Sequence, residues 1–318
     1  MLAAPLVYAT PLRTRFRNID VRDGVLIRGE AGWGEFSPFW DYDDVESAAW
    51  LRAALESAAR GWPDPVRTRV PVNVTIPAVG PEVARRLVLA SGGCTTAKVK
   101  VAQTGQDVGA EIERLEAVRD ALGPDGRIRI DANAAWDLDE ALRRLPVLDR
   151  AAGGLEYAEQ PVPDVADLAA LRRRQHVPIA ADESIRRAAD PLAVRRAEAA
   201  DVVVLKVQPL GGVRACLDLA EAVGLPVVVS SALESSVGIA AGLALAGALP
   251  ELPYACGLAT VHLLEHDAVA SPLLPVDGTM PVLRADELDP LADLGADGAT
   301  TARWHARFAR VEGMVGRS

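Results

Sequence analysis

Lysine is scarce in this chain, and each one sits in a strand-like setting. Of 34 basic residues only Lys98, Lys100 and Lys206 are lysines, so lysine is not what solubilises the surface. The run Thr95-Thr96-Ala97-Lys98-Val99-Lys100-Val101 is apolar and β-branched, and a period of two puts both of its lysines on one side. Two like charges side by side repel and resist burial. Lys206 closes a second apolar run, Val202-Val203-Val204-Leu205. A lysine in a crowded cationic site can release its proton where an arginine cannot, so these three suit proton transfer.

Between the lysines, three predicted strands run into carboxylates. Arg127–Ile130 ends at Asp131 with Asn133 beyond it, Leu155–Ala158 ends at Glu159, and Pro178–Ala181 ends at Asp182 with Glu183 beside it. The separations are 28 and 23 residues, each about one strand–helix unit, so the three converge on one rim. Three carboxylates stay close and ionised only with a cation between them. Hard oxygen ligands from separate strands suit Mg²⁺, with Mn²⁺ as a substitute. A single acid ending a strand is more often a helix N-cap; it is the ordered triple between the only lysines that points to a metal. For Lys98 a structural ion pair is the plain alternative. Ser230 and Ser231 end the next strand and are equally suited to N-capping. His176, His262, His266 and His305 end no strand, which argues against zinc or Ser/His chemistry.

The elements that must hold these residues alternate from about Val70 onward. Strands are predicted over Val70–Ile76, Thr95–Val101, the three carboxylate segments, Val202–Leu205 and Pro226–Val229, with a weaker one near Gly257. Helices lie between them at Pro81–Leu89, Asp107–Leu122, Asp137–Leu148, Val165–Arg174, Pro191–Glu198, Val213–Val223 and Ser236–Leu249. Repeats of this size predict a parallel (β/α) barrel over 69–276. An open doubly wound sheet would carry a Gly-rich phosphate loop after its first strand, and none is present. Residues 1–68 read as an α+β unit. Its strands are Arg15–Asp20, Val25–Arg28 and Gly32–Phe36, with turns at Asp23-Gly24 and Arg28-Gly29-Glu30, followed by a helix over Asp43–Arg60. The tail 277–318 carries a Trp304/Phe308/Val311 stripe expected to pack back on that unit.

With 318 residues, half of them apolar, the chain has the composition of a globular protein with a large core. Its net charge of −10 disfavours nucleic acid and anionic membrane as partners, without forbidding an anionic small-molecule substrate. Cys94, Cys216 and Cys256 show no CxxC spacing, as expected of reduced thiols in a cytoplasmic protein. Met1 to Ala9 lacks a basic region and carries an early proline, unlike a signal peptide. The apolar run from Val237 to Pro250 is too short to span a bilayer and reads as a buried helix.

Taken together, Lys98-Val99-Lys100, Asp131-Ala132-Asn133, Glu159-Gln160-Pro161, Asp182-Glu183-Ser184 and Leu205-Lys206 resemble the enolase superfamily, and more narrowly its muconate-lactonising-enzyme subgroup. The resemblance implies a (β/α)8-type, modified TIM barrel with an α+β capping domain built from the N-terminal region and the C-terminal tail. Sites of this superfamily are known to use a Lys or His base with Mg²⁺ stabilising an ene-diolate. It implies Asp131, Glu159 and Asp182 as metal ligands, Lys100 as base with Lys98 tuning it, and Lys206 on the opposite side. Asn133 and Glu183 would orient the ligands and Lys206. By analogy the Gly32 to Trp40 loop, with Trp33, would close the mouth. Ser230, Ser231, Ser235 and the helix N-terminus behind them would take a distal substrate carboxylate.

The chain's short length, its Gly32-Trp33-Gly34-Glu35-Phe36-Ser37-Pro38 segment and Ser230 to Gly238 resemble the subgroup members that dehydrate a succinyl-hydroxycyclohexadiene-carboxylate in menaquinone biosynthesis. N-succinylamino-acid racemases and dipeptide epimerases share the same residues and are the alternative, with a non-catalytic binding barrel more remote. Oligomeric state stays open.

Overall fold

The computed structural model describes residues 4–316, so the outermost ends of the expected N-terminal unit and tail lie outside the described residues. Its first part is an antiparallel sheet of β1 (Leu6–Phe16), β2 (Ile19–Gly29) and β3 (Gly32–Phe36), followed by α1 (Asp44–Ala59). The β1–β2 turn is Arg17-Asn18, with φ of 50° and 61°, the pair of left-handed residues that a two-residue hairpin requires. The strand expected over Arg15–Asp20 is therefore two strand ends and a turn. The turn expected at Asp23-Gly24 lies inside β2. Gly24 is needed for space instead, because a Cβ there would sit 2.5 Å from Ser37 Cβ and 2.8 Å from Tyr8 Cε1. Helix α1 opens with a capping box in which Asp43 accepts from the Glu46 N–H at 2.7 Å and Glu46 accepts from the Asp43 N–H at 3.2 Å.

From Arg69 the strands become parallel. In chain order they are β4 (Arg69–Ile76), β5 (Thr96–Lys100), β6 (Arg127–Asp131), β7 (Tyr157–Glu159), β8 (Ile179–Ala181), β9 (Val202–Leu205), β10 (Val227–Val229) and β11 (Cys256–Ala259). Neighbours in sequence are hydrogen-bonded neighbours from β4 to β10. β11 pairs with β4, and a bridge from Ser230 to Gly257 joins β10 to β11, closing a ring of eight. The strands are short and rich in Val, Ile and Ala, as suits strands covered on both faces. Helices α2 (Pro81–Leu89), α3 (Val108–Leu122), α4 (Leu138–Ala152) and α5 (Val165–Arg174) follow β4 to β7.

After β8 the chain makes only single turns, α6 (Glu183–Arg186) and α7 (Ala193–Arg196). The helix expected over Pro191–Glu198 is thus one turn long, ended by Glu198 in left-handed backbone at φ 51°. A third single turn, α8 (Val207–Leu210), follows β9, then α9 (Val213–Val223) and α10 (Ser236–Ala248). Helix α10 is apolar all round and buried along almost its whole length, as its composition predicts.

The tail pairs β12 (Thr279–Pro281) antiparallel to β4 and ends in α11 (Gly298–Val315). Trp304 and Phe308 on α11 lie edge-on to Phe36 of β3, with ring centroids 5.9 and 5.8 Å away. Arg307 is buried and donates to the carbonyls of Pro38, Phe39 and Tyr42. The tail is thereby tied to the N-terminal sheet. No helix among the described residues is long and apolar enough to cross a membrane.

Candidate active site

Ring closure decides which residues face each other. β5 and β9 are four places apart in a ring of eight, so Lys98 and Lys100 stand across the barrel from Lys206. One half of the rim between them consists of β6, β7 and β8 and carries Asp131, Glu159 and Asp182. The other half consists of β10, β11 and β4 and presents Ser230, Ser231, Thr260 and Thr75. The pocket is lined by hydroxyls along one half and by the amines at both junctions, and the carboxylates of the other half are buried and paired to those amines.

Each carboxylate is paired with a lysine ammonium, and Asp131 with two, since Lys98 Nζ also lies 3.5 Å from its Oδ2. Lys98 Nζ lies 3.0 Å from both oxygens of Glu159 and 3.4 Å from Ser230 Oγ. Lys100 Nζ donates to Asp131 Oδ2 at 2.5 Å and to Asn133 Oδ1 at 2.7 Å. Lys206 Nζ donates to Asp182 Oδ2 at 2.6 Å. All three carboxylates are buried, which makes their charges costly unless paired. Burial alone would lower Lys98, but Glu159 and then Asp131 outweigh it and hold the group firmly as an ammonium. Lys100 goes the other way: burial, with Lys98 beside it, sets it below the ordinary lysine range despite Asp131. Lys100, followed by Lys98 and Lys206, pulls Asp131 far below the carboxylate range against its burial. Arg186 and Lys206 do the same for Asp182. Glu159 is pushed up to about 7 by burial and by Asp131, with Asp182 adding to the effect.

Among the described residues no three Asp, Glu, His or Cys side chains are drawn together closely enough to hold an ion as they stand. The reason is visible in the pairing, since the carboxylates are turned to the lysine ammoniums around them. The donor set itself, three buried carboxylates on consecutive strand ends, has the composition a hard divalent cation takes.

Other expected residues fall in different places. Asn133 bridges the two sides of its strand end, accepting from Lys100 and donating to Glu183 Oε1 at 3.2 Å. Glu183 does not reach Lys206. It pairs with Arg186 at 2.6 Å, because α6 turns it back towards that side chain. Ser230 and Ser231 line the pocket, and Ser231 Oγ shares a hydrogen bond with Thr260 Oγ1 at 2.8 Å. Ser235 does not line it: its Oγ donates to Glu35 Oε2 at 2.5 Å. The start of α10 is likewise engaged, with the Gly238 N–H on Glu35 at 2.9 Å and the Ser236 N–H on Asp267 at 3.0 Å. A helix N-terminus already holding two carboxylates is not free for a third. Trp33 sits in β3 opposite Arg28, whose guanidinium lies 5.5 Å from the ring centroid, away from the pocket lining. The mouth, a cleft of about 610 Å³, is covered by the β1–β2 hairpin through Phe16, Arg17 and Asn18 rather than by Gly32 to Trp40.

Several site residues carry no expectation from the sequence. Phe16 places its ring 5.4 Å from Lys100 Nζ. Arg186 is buried and donates to Asp182 at 2.9 Å, to Glu183 and to the Tyr42 hydroxyl. Its position four residues after Asp182, one helical turn, is the signal that could have found it. Gln160 braces the loops beneath the carboxylates, and its place beside Glu159 was the available cue.

Residues 82–286 match the enolase C-terminal domain-like family and residues 7–58 the enolase N-terminal domain-like family. A relative from Thermobifida fusca (strain YX), named o-succinylbenzoate synthase, is 64% identical over 95% of this chain and 94% of its own length. The chain belongs to the o-succinylbenzoate synthase family of the enolase superfamily. A second member of that family, from Mycobacterium tuberculosis (strain ATCC 25618 / H37Rv), is 52% identical over 93% of this chain and 89% of its own. Solved structures of other proteins share the fold. The muconate lactonizing enzyme of Pseudomonas fluorescens complexed with muconolactone has a TM-score of 0.76 at 24% identity, covering 96% of this chain and 98% of its own. The L-Ala-D/L-Glu epimerase of Bacillus subtilis has a TM-score of 0.75 at 23% identity, covering 91% and 96%.

Proposed function

We propose that this chain is a Mg²⁺-dependent o-succinylbenzoate synthase, a hydro-lyase that converts 2-succinyl-6-hydroxy-2,4-cyclohexadiene-1-carboxylate to 2-succinylbenzoate through an enediolate in cytoplasmic menaquinone biosynthesis. The observation that carries this reading is the set of three buried carboxylates on consecutive strand ends, flanked by lysines from opposite sides of the barrel, in a chain of this family. The division of labour is a barrel over 69–276 that does the chemistry and a cap of 1–68 with 277–318 that covers it.

Asp131, Glu159 and Asp182 would hold the divalent cation. When bound, it supplies Lewis-acid stabilisation of the charge that grows on the substrate carboxylate as the α-proton leaves. Lys100 is the base, because burial and Lys98 favour its neutral amine. Lys98, held as an ammonium against Glu159, keeps Lys100 in that state. The α-proton passes to Lys100 Nζ and then to the departing hydroxyl on the same face. One water leaves, the C–O bond breaks, and the ring becomes aromatic. Lys206, across the ring on Asp182, stabilises the enediolate from the other face. Asn133 and Glu183 orient Lys100 and Arg186. Ser230, Ser231 and Thr260 line the wall that the rest of the substrate meets.

A second reading, an N-succinylamino-acid racemase or dipeptide epimerase, is favoured by one feature, the placement of Lys206 across from Lys100, where a second acid/base would work. The deciding assay adds Mg²⁺ and the cyclohexadiene substrate and follows aromatisation by ultraviolet absorbance. Turnover that survives EDTA, or that is undiminished in Lys100→Ala, sinks the mechanism. Absence of turnover together with α-proton exchange in D₂O on both enantiomers of an N-succinyl amino acid selects the second reading.

A further inference from the structure

Glutamine 160 occupies the junction of all three carboxylate-bearing strand ends. It follows Glu159 directly and is fully buried, with backbone in the left-handed region at φ 39°. Its main chain reaches both neighbouring strands: the Gln160 N–H donates to the Ala180 carbonyl at 2.8 Å, and its carbonyl accepts from the Ala134 N–H at 2.7 Å, three residues past Asp131. Its side chain uses every site it has. Oε1 accepts from the N–H groups of Asp182 at 3.0 Å and Ser184 at 3.1 Å. Nε2 donates to the Val162 carbonyl at 2.8 Å and to Ser184 Oγ at 2.7 Å. A carboxamide offers two donors and two acceptor lone pairs, and all four are taken. A glutamate here would turn an acceptor towards the Val162 carbonyl, and a leucine would leave four buried partners unpaired.

We propose that Gln160 is a positioning residue whose carboxamide sets the separation of Glu159 and Asp182, and thereby the affinity of the site for a divalent cation. The inference rests on the reading of these carboxylates as the metal ligands. It follows from where the bonds fall. One side-chain oxygen grips the Asp182 N–H, while the residue's own backbone follows Glu159, so one buried group ties the two ligand-bearing backbones together just past the end of the β7–β8 ladder. The left-handed backbone is held in place by those same four bonds.

The test is Mn²⁺ titration of the full-length protein by electron paramagnetic resonance, with the thermal midpoint of the metal-free protein measured alongside. Wild type is expected to bind Mn²⁺, and Gln160→Leu about 10–100-fold more weakly, as loss of a group that orients metal ligands does. Ser184→Ala removes only one of the four bonds and should weaken binding measurably but less than Gln160→Leu, with the folded state retained. If Gln160→Leu does not fold, Ser184→Ala decides alone. Turnover at saturating metal should recover in both variants that fold, so the change appears in the metal activation constant rather than in kcat. Unchanged Mn²⁺ affinity in the folded variants, beside a wild type that binds, overturns the inference and leaves the metal reading standing. A wild type that binds no Mn²⁺ overturns both.

Discussion

At the scale of the residue, the site is a problem in placing like charges. Lys98 and Lys100 share one face of β5, and their mutual repulsion is offset by Asp131 on the adjacent β6 and Glu159 on β7, one strand further round. The asymmetry between them is what matters: Lys98 is bidentate to Glu159 and stays charged, whereas Lys100 is set below the ordinary lysine range. Replacing Lys100 with alanine should lower kcat by about 10²–10⁴-fold, the usual contribution of a general base, and leave a folded protein by circular dichroism. The sign of the pH effect follows from the same geometry. A base works when neutral, so the rate rises with pH through the pKa of Lys100. Lys98→Met removes the cation that lowers this pKa and leaves Asp131 and Glu159 to raise it. The ascending limb of the residual kcat/KM profile should therefore move to higher pH, and a limb that stays in place would count against Lys98 as the tuning group.

At the scale of the element, the cap and the barrel share buried apolar packing, such as Leu12 and Ile27 in one cluster with Leu233 and Leu263, and are tied across it by buried polar groups. Arg22 of β2 donates to the Leu233 carbonyl at 2.9 Å and to Ser37 Oγ at 2.8 Å. Glu35 of β3 accepts from the Tyr8 hydroxyl at 2.8 Å and Ser37 Oγ at 2.6 Å as well as from the start of α10. Leu233, which lines the pocket, is held at φ 65°, a conformation a leucine keeps only when its surroundings impose it. Glu234 is buried beside this network, and burial followed by Glu35 pushes its carboxyl up to about 7. The folded state therefore holds a proton that the unfolded chain, titrating near 4.5, has released. This stabilisation by protonation is lost as pH rises through 7. Glu234→Gln should accordingly be more stable than wild type at pH 8, by roughly 3 kcal/mol, and little different at pH 4. Denaturant melts at the two pH values test this, and a pH-independent difference would rule it out. On the tail, Trp304→Ala should cost about 3–5 kcal/mol, the range for losing a buried aromatic. The loss should appear first as release of α11 from the cap in hydrogen exchange.

For the molecule as a whole, the three carboxylates lie on three consecutive staves of a ring that closes through one bridge between β10 and β11. A cation held by β6, β7 and β8 together, as proposed, would tie down the middle of that sheet and stabilise only the folded ring. Mg²⁺ at a hundredfold excess over its Kd should raise stability by about 2.7 kcal/mol, with EDTA reversing the gain. Scanning calorimetry reads this directly, and an unchanged midpoint would speak against the metal site. The charges at the rim already balance, three carboxylates against three ammoniums, with Arg186 against Glu183. A divalent cation adds positive charge that an anionic ligand relieves. Product and metal should therefore tighten each other's binding by the same factor, measurable by calorimetric titration of each in the presence of the other.

Much of this was legible before any coordinates. The barrel follows from strand and helix periods, which are local, and its strands and longer helices fall within a few residues of the expected spans. The order of lysines and carboxylates along the rim follows from those spans, because every second residue of a strand points inward and each strand–helix unit advances one place around the ring. What remained hidden depends on contacts between residues far apart in the chain. The sequence could not say that Lys98 meets Glu159 across 61 residues, or that Glu35 and Asp267 take the start of α10 and turn Ser235 away from the pocket. Nor could it place Arg186 between Asp182 and Tyr42. Asp23-Gly24 read as a turn because glycine marks both turns and close approaches, and only the packing of Tyr8 and Ser37 tells which. The sequence alone determined which chemistry the rim can hold, because residue type and period are local properties. Only the tertiary structure decided which charge faces which and what covers the mouth, because ring closure and the docking of the cap set those distances.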